Sequence, residues 1–279
     1  MTIPELPWQT NDAQPLRGID ISAHQTPGRI TLSGLDFAIA RATYGDRVDA
    51  TARAWAASAV DSGLPRFSVY AFARHSARPE HSPQRQIAAI REAVATVKDK
   101  WKGALAVWLD AEDNTTFDGP FVRDRALDIY RTIVEELRGA PLGQPLSPDG
   151  LHVGLYTAPG WWSALKAPAE WSTLPTWLAH YGTRTPSRPA AKAFPRFGLW
   201  QFGLVRHGGF AVDGNVAAAW RTDGPWPLIC ETDPTPHGPP PAATPVAKLL
   251  DEAQAQIIAA QNNLKGAWAK VNEARAALK

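Results

Sequence analysis

The stretch AVWLDAEDN, residues 106–114, runs four apolar residues straight into acids. Such a run reads as a buried strand. Side chains two apart on a strand face the same way. Trp108, Asp110 and Glu112 therefore share one face, and Val107, Leu109 and Ala111 share the other. Asp110 and Glu112 stand about 7 Å apart along the backbone, close enough to flank one bond. A carboxylic acid that protonates a leaving oxygen, beside a second that stabilises or attacks an oxocarbenium-like centre, is the chemistry of glycoside cleavage. Crowding two acids in a partly dry site raises the pKa of one and keeps it protonated for the acid role. By itself Asp-x-Glu suits a helix cap or an arginine partner equally well.

Two further acids sit in comparable places. GIDIS (18–22) puts Asp20 in a short strand with Ile19 and Ile21 on its other face. AVDGN (211–215) puts Asp213 just after the last expected strand, with Asn215 two residues on. Each alone also fits a turn or cap. A barrel would bring its first, middle and last strands around one mouth, where all these acids could converge.

The elements that must position them follow from the apolar runs. Expected strands are GIDIS (18–22), FAIARAT (37–43), FSVYAFA (67–73), ALAVWLDAE (104–112), LHVGLYT (151–157), TWLAHY (176–181) and FGLWQFG (197–203). Helical stretches at 52–61, 83–100 and 122–138 separate several of them. Strand and helix in alternation predict a parallel α/β sheet, and so many strands predict an irregular (β/α) TIM-like barrel with chemistry at its C-terminal face. The barrel is expected over 1–226.

Composition narrows the partners. A chain of 279 residues suits one large barrel plus an appendage. Its net charge of +2 gives no case for nucleic acid. The 12 tryptophans tilt toward carbohydrate, since that ring packs against sugars as well as in cores. Cys230 is the only cysteine, which excludes an intrachain disulfide and CxxC metal patterns. No stretch approaches the roughly 18 apolar residues of a membrane span. The start of the chain lacks the charged and apolar regions of a secretory signal, so synthesis in the cytoplasm is expected, with release by some other agent.

After Trp226 the chemistry changes. Residues 227–245 are dense in proline and read as a stiff linker. In 246–279, Leu250, Ile257, Leu264, Val271 and Leu278 recur every seven residues, with Ala253, Ala260, Ala267 and Ala274 between them. That is an a/d seam on one helix, expected either to self-associate or to dock on the barrel.

The motifs GIDISAHQ (18–25), FAIARATYG (37–45), SGLPRFSVYAFAR (62–74), WLDAEDN (108–114), GLYTAPGWW (154–162), LPTWLAHYG (174–182), LWQF (199–202) and VDGN (212–215) occur in order. Together they resemble glycoside hydrolase family 25, the Chalaropsis-type N-acetylmuramidases. The resemblance implies cleavage of the β-1,4 bond from N-acetylmuramic acid to N-acetylglucosamine in peptidoglycan, with retention and without cofactor or metal. It implies Glu112 as general acid, Asp110 as partner carboxylate, and Asp20 and Asp213 as further acids lining the site. Whether Asp110 or the substrate's acetamido group attacks stays open. Tyr70, Phe72, Tyr156, Trp177, Tyr181 and Trp200 become candidate sugar platforms, with core packing as the alternative for each, and His24 and Gln25 candidate mouth residues. Ala71 departs from the Tyr-His-Phe common in the family. With the linker, the tail and the expected lack of a secretory signal, the resemblance implies a phage endolysin held in the host cytoplasm until a membrane pore opens. A bacterial autolysin, a non-catalytic wall-binding barrel and a chitin hydrolase are the alternatives.

Overall fold

The computed structural model describes residues 16–112, 122–181 and 197–217. The chain divides into two units, Met1–Asp233 and Pro234–Lys279. The expected linker and heptad segment lie outside the described residues, as does Asp113.

Eight strands close a barrel. They are β1 (Leu16–Ile21), β2 (Phe37–Tyr44), β4 (Phe67–Phe72), β5 (Ala106–Asp110), β6 (His152–Thr157), β7 (Thr176–Ala179), β8 (Phe197–His207) and β9 (Phe210–Ala217). The two-residue β3 (Arg47–Val48) pairs only with the end of β2. Neighbours from β1 through β2, β4, β5, β6 and β7 to β8 are parallel. β9 runs antiparallel to both β8 and β1 and closes the ring. The barrel is thus mixed, and Asp213 stands inside its last strand instead of after it. The Gly208–Gly209 pair explains the turn into β9, since both residues adopt positive φ (57° and 86°) that glycine alone takes without strain.

Outside the barrel lie α1 (Ala52–Asp61), α2 (Pro83–Lys100), α3 (Arg123–Arg138) and α4 (Pro159–Leu165). Each turns an apolar stripe inward at helical spacing: Trp55, Ala56 and Ala59 on α1, and Ile129, Tyr130, Ile133, Val134 and Leu137 on α3. Pro83 opens α2 where no N–H is needed, and Gly139 ends α3 in the left-handed region. Between β6 and β7 stand only the short α4 and a 3-10 turn, so the barrel is irregular there.

Strand alternation produces two cores. The outward set, including Ile19, Ile21, Val69, Ala71, Val107, Leu109, Leu155, Leu178 and Trp200, packs under the helices. The inward set is Phe37, Ile39, Trp108, Tyr156, Trp177, Leu199 and Ala217. Trp108 fills the interior only because its neighbour on β6 is Gly154; a Cβ there would lie 2.4 Å from the indole. This filled floor leaves the polar inward residues at the C-terminal end of the parallel strands.

Candidate active site

Asp20 sits near the end of β1, Asp110 ends β5, and Asp213 lies near the start of β9. β9 runs backwards, so its start, and not its end, is at the mouth. Asp20 and Asp213 are register partners. Ala111 still ladders to β6, its N–H donating to the Tyr156 carbonyl at 2.9 Å, so the chain stays extended and Glu112 follows Asp110 on the inner face. Glu112 is partly exposed. The fold therefore gathers at one mouth the four acids that the sequence marks.

Their surroundings differ. Asp110 is 5 % exposed, and its Oδ1 has no hydrogen-bond partner among the described residues. Burial, then the negative charges of Glu112 and Asp20, push its pKa well above the ordinary carboxylate value, while Arg41 pulls it back. Asp20 is pushed up too, first by burial and next by Asp213. Opposing that shift, Asn215 Nδ2 and Gln201 Nε2 each donate to Asp20 Oδ2 at 2.7 Å. Arg41 points inward from β2, its Nε bound to Asp49 Oδ2 at 2.9 Å. Burial works against the Asp49 charge, but bonds from Thr51 and Arg41 outweigh it and hold that pKa low. Among the described residues no group of three or more His, Cys, Asp or Glu side chains is arranged to hold a metal ion.

Residues 19–206 match the family described as Glycosyl hydrolases family 25. The chain belongs to this family. It is a glycoside hydrolase. Solved structures similar to it include the bacterial lysozyme of Streptomyces coelicolor, at 23% identity and TM-score 0.56, covering 75% of this chain and 94% of that one. The catalytic domain of the endolysin of Listeria monocytogenes bacteriophage P40 aligns at 16% identity and TM-score 0.53, over 75% and 96%. The Streptococcus pneumoniae autolysin LytC, solved with a synthetic peptidoglycan ligand, aligns at 15% identity and TM-score 0.51, over 72% and 46%. At these identities the likeness is one of fold. No curated protein matches the chain.

The family 25 barrel sorts the expected aromatics into several settings. Tyr156 and Tyr181 both donate their hydroxyls to Gln201 Oε1, at 2.8 and 2.5 Å, and Tyr181 also lies 3.3 Å from Asp213 Oδ1. Tyr181 is 42% exposed, which leaves ring surface at the mouth. Burial first, then the surrounding acids, raise the phenol pKa values of Tyr70, Tyr156 and Tyr181, so all three stay protonated. Tyr70 packs edge-on to Trp177 from the partly buried side of the inner core. Phe72, beside Asp110 in register, stacks on Tyr44 at 4.7 Å.

Trp177 is buried in the inner core and donates its indole N–H to Asn215 Oδ1 at 2.8 Å. Its ring offers no open face, and its polar atom serves the acids indirectly. Trp200 corrects the sequence reading outright. It is fully buried in the outer core, edge-on to Phe202, with its N–H on the His180 carbonyl. Strand alternation turns it away from Leu199 and Gln201, so it is no sugar platform. Ala71 likewise faces the outer core, away from the site.

His24 is exposed in the turn after β1. Gln25 spends its side-chain carbonyl on that turn, accepting from the Ser22 N–H at 2.8 Å and the Ser22 hydroxyl at 3.3 Å. Gln201 and Arg41 have a direct place at the acids that the sequence expectations lack, and Asn215 enters those expectations only as the neighbour of Asp213. The signal available for each is a polar side chain at an inward position of its strand.

Proposed function

We propose that this chain cleaves the β-1,4 bond between N-acetylmuramic acid and N-acetylglucosamine in peptidoglycan, with retention of configuration. The observation that carries the reading is the buried Asp110 followed on the same face by the more exposed Glu112, at the mouth of a family 25 barrel. Glu112 reaches outward to protonate the leaving oxygen. Asp110 lies deeper and faces the developing positive charge. Burial makes Asp110 costly to ionise, and a positive charge forming at the anomeric carbon offsets that cost. Its interaction is therefore stronger in the transition state than in the ground state, as catalysis requires. Asp20 and Asp213 orient and polarise the site, and Tyr181, with His24 beside the mouth, lines the path of the sugar chain.

The peptidoglycan ligand named for the LytC structure supports the substrate class. The endolysin named for the phage P40 domain supports a wall-lysing role, and release from the host cytoplasm through a membrane pore is the part of this reading that rests on the sequence alone. Among the described residues no helix is long and apolar enough to cross a membrane. Mass spectrometry of digested peptidoglycan tests the bond: new reducing ends should be muramic acid. Reducing ends on glucosamine would overturn the muramidase reading. Proton NMR of the first product anomer tests retention.

A further inference from the structure

The proton on a carboxyl can sit on either oxygen, and which oxygen carries it decides what the group can do. Around Asp20 the choice is fixed by a chain that begins at a donor with no ambiguity. An indole N–H only donates. The Trp177 Nε1–H lies 2.8 Å from Asn215 Oδ1, so that atom of the amide is the oxygen and the other is the NH₂. The Asn215 NH₂ then faces Asp20 Oδ2 at 2.7 Å. Gln201 is oriented in the same sense. Its Oε1 faces the hydroxyls of Tyr156 and Tyr181, and its NH₂ faces the same Asp20 Oδ2 at 2.7 Å. Two N–H groups fill both lone pairs of Oδ2. No described residue donates to Oδ1 of Asp20.

We propose that Asn215 and Gln201 are positioning residues that confine the proton of Asp20 to Oδ1, so that Asp20 meets the substrate as a neutral hydrogen-bond donor to a sugar or acetamido oxygen. The placement of the substrate rests on the muramidase reading; the side of the proton does not. Burial first, and then the surrounding acids, favour the protonated form against the pull of the two amides. Asp213 on β9, Glu112 beyond β5 and Asp110 on β5 are acids, while Tyr70, Tyr156 and Tyr181 stay neutral. Among the described residues Arg41 is a cation acting on Asp110, and its Nε is committed to Asp49.

Infrared difference spectroscopy of the protein without substrate reads the proton side directly. The carboxyl C=O band missing from Asp20→Asn belongs to Asp20. If Oδ2 is the carbonyl, that band lies low in frequency, because two N–H groups pull on it, and it rises in Asn215→Leu. A band that does not move in Asn215→Leu overturns the proposal.

Turnover supplies a second arm. In Asp20→Asn the new carbonyl accepts from Asn215 and Gln201, and the new NH₂ replaces the Oδ1–H as donor. Asp20→Leu keeps similar bulk without any donor. Both lose activity, and the leucine variant should lose about tenfold more in kcat/KM, the worth of one retained hydrogen bond. Equal losses in the two folded variants overturn the donor role. If Asp20→Leu fails to fold, the infrared band decides alone. If the muramidase reading fails, the band is unaffected, so the two failures are distinguishable.

Discussion

Asp20 and Asp213 stand directly opposite each other on β1 and β9, the antiparallel pair that closes the barrel. Directly opposed side chains on such a pair have Cβ atoms about 5 Å apart, and like charges there are destabilising. The barrel keeps the pair by burying Asp20 at 7 % exposure, feeding it two amide N–H groups and raising its pKa. The proximity is held in place by sheet closure and not by mutual attraction.

Asp213→Asn should therefore let the Asp20 pKa fall toward the ordinary carboxylate value, because the second-largest cause of its elevation is gone. Carbon-13 NMR titration of the Asp20 carboxyl checks this. Activity should fall while the melting temperature holds or rises. A large drop in stability with activity per folded molecule intact would assign Asp213 to architecture alone.

Glu112→Gln should abolish hydrolysis while the fold survives. The amide keeps the shape but holds no transferable proton, and general acid catalysis contributes roughly 10²–10⁴-fold. Turbidity loss of purified cell walls, with circular dichroism as the fold control, measures it. Near-wild-type turnover would remove Glu112 from the acid role.

Asp110→Asn should cost activity and gain stability at neutral pH. The folded pKa of Asp110 lies above its unfolded value, so the folded chain holds the proton more tightly. The favourable contribution is full below the unfolded pKa of about 3.9 and is lost as pH rises through the folded pKa. The melting temperature of the variant should therefore gain on wild type from about pH 4 until the folded pKa is passed, and hold its lead above it. A gap that narrows with rising pH would contradict the burial argument.

Trp200→Ala should behave as a core deletion, costing about 3–5 kcal/mol of folding stability. Urea unfolding measures the loss. KM for glycan should change little in the fraction that stays folded at low temperature. A selective rise in KM without a stability loss would restore Trp200 as a sugar contact.

The heptad segment 246–279 yields a prediction from sequence alone. Its a/d stripe left in water would cost roughly 25 cal/mol per Å² of apolar surface, so a second tail should cover it. Full-length protein is expected to self-associate and to gain avidity for an insoluble wall, and a truncation at Trp226 to be a monomer that still cleaves soluble glycan. Sedimentation of both forms decides. Two monomers would reject self-association, and an oligomer unchanged by Leu264→Asp would place the contact elsewhere.

Local chemistry was enough for much of the barrel. The alternation in AVWLDAE already put Trp108, Asp110 and Glu112 on one face, because strand geometry fixes that without reference to any other strand. The helical stripes at 52–61 and 83–100 were equally local, and the structure gives α1 and α2 those same bounds. Motif order added which family the strands belong to. What the sequence could not decide depends on closure. FAVDGNVA became a strand because β1 and β8 both offered it open edges, and only that pairing set Asp213 against Asp20. In LWQF both Leu199 and Trp200 are apolar, so alternation allowed either face to be inward. The register of Trp177 with Leu199 and of Leu178 with Trp200 settled it, burying Trp200 outside and turning Gln201 toward the acids. Side-chain identity determined which residues could do chemistry; the three-dimensional register determined which oxygen of which acid each amide could reach.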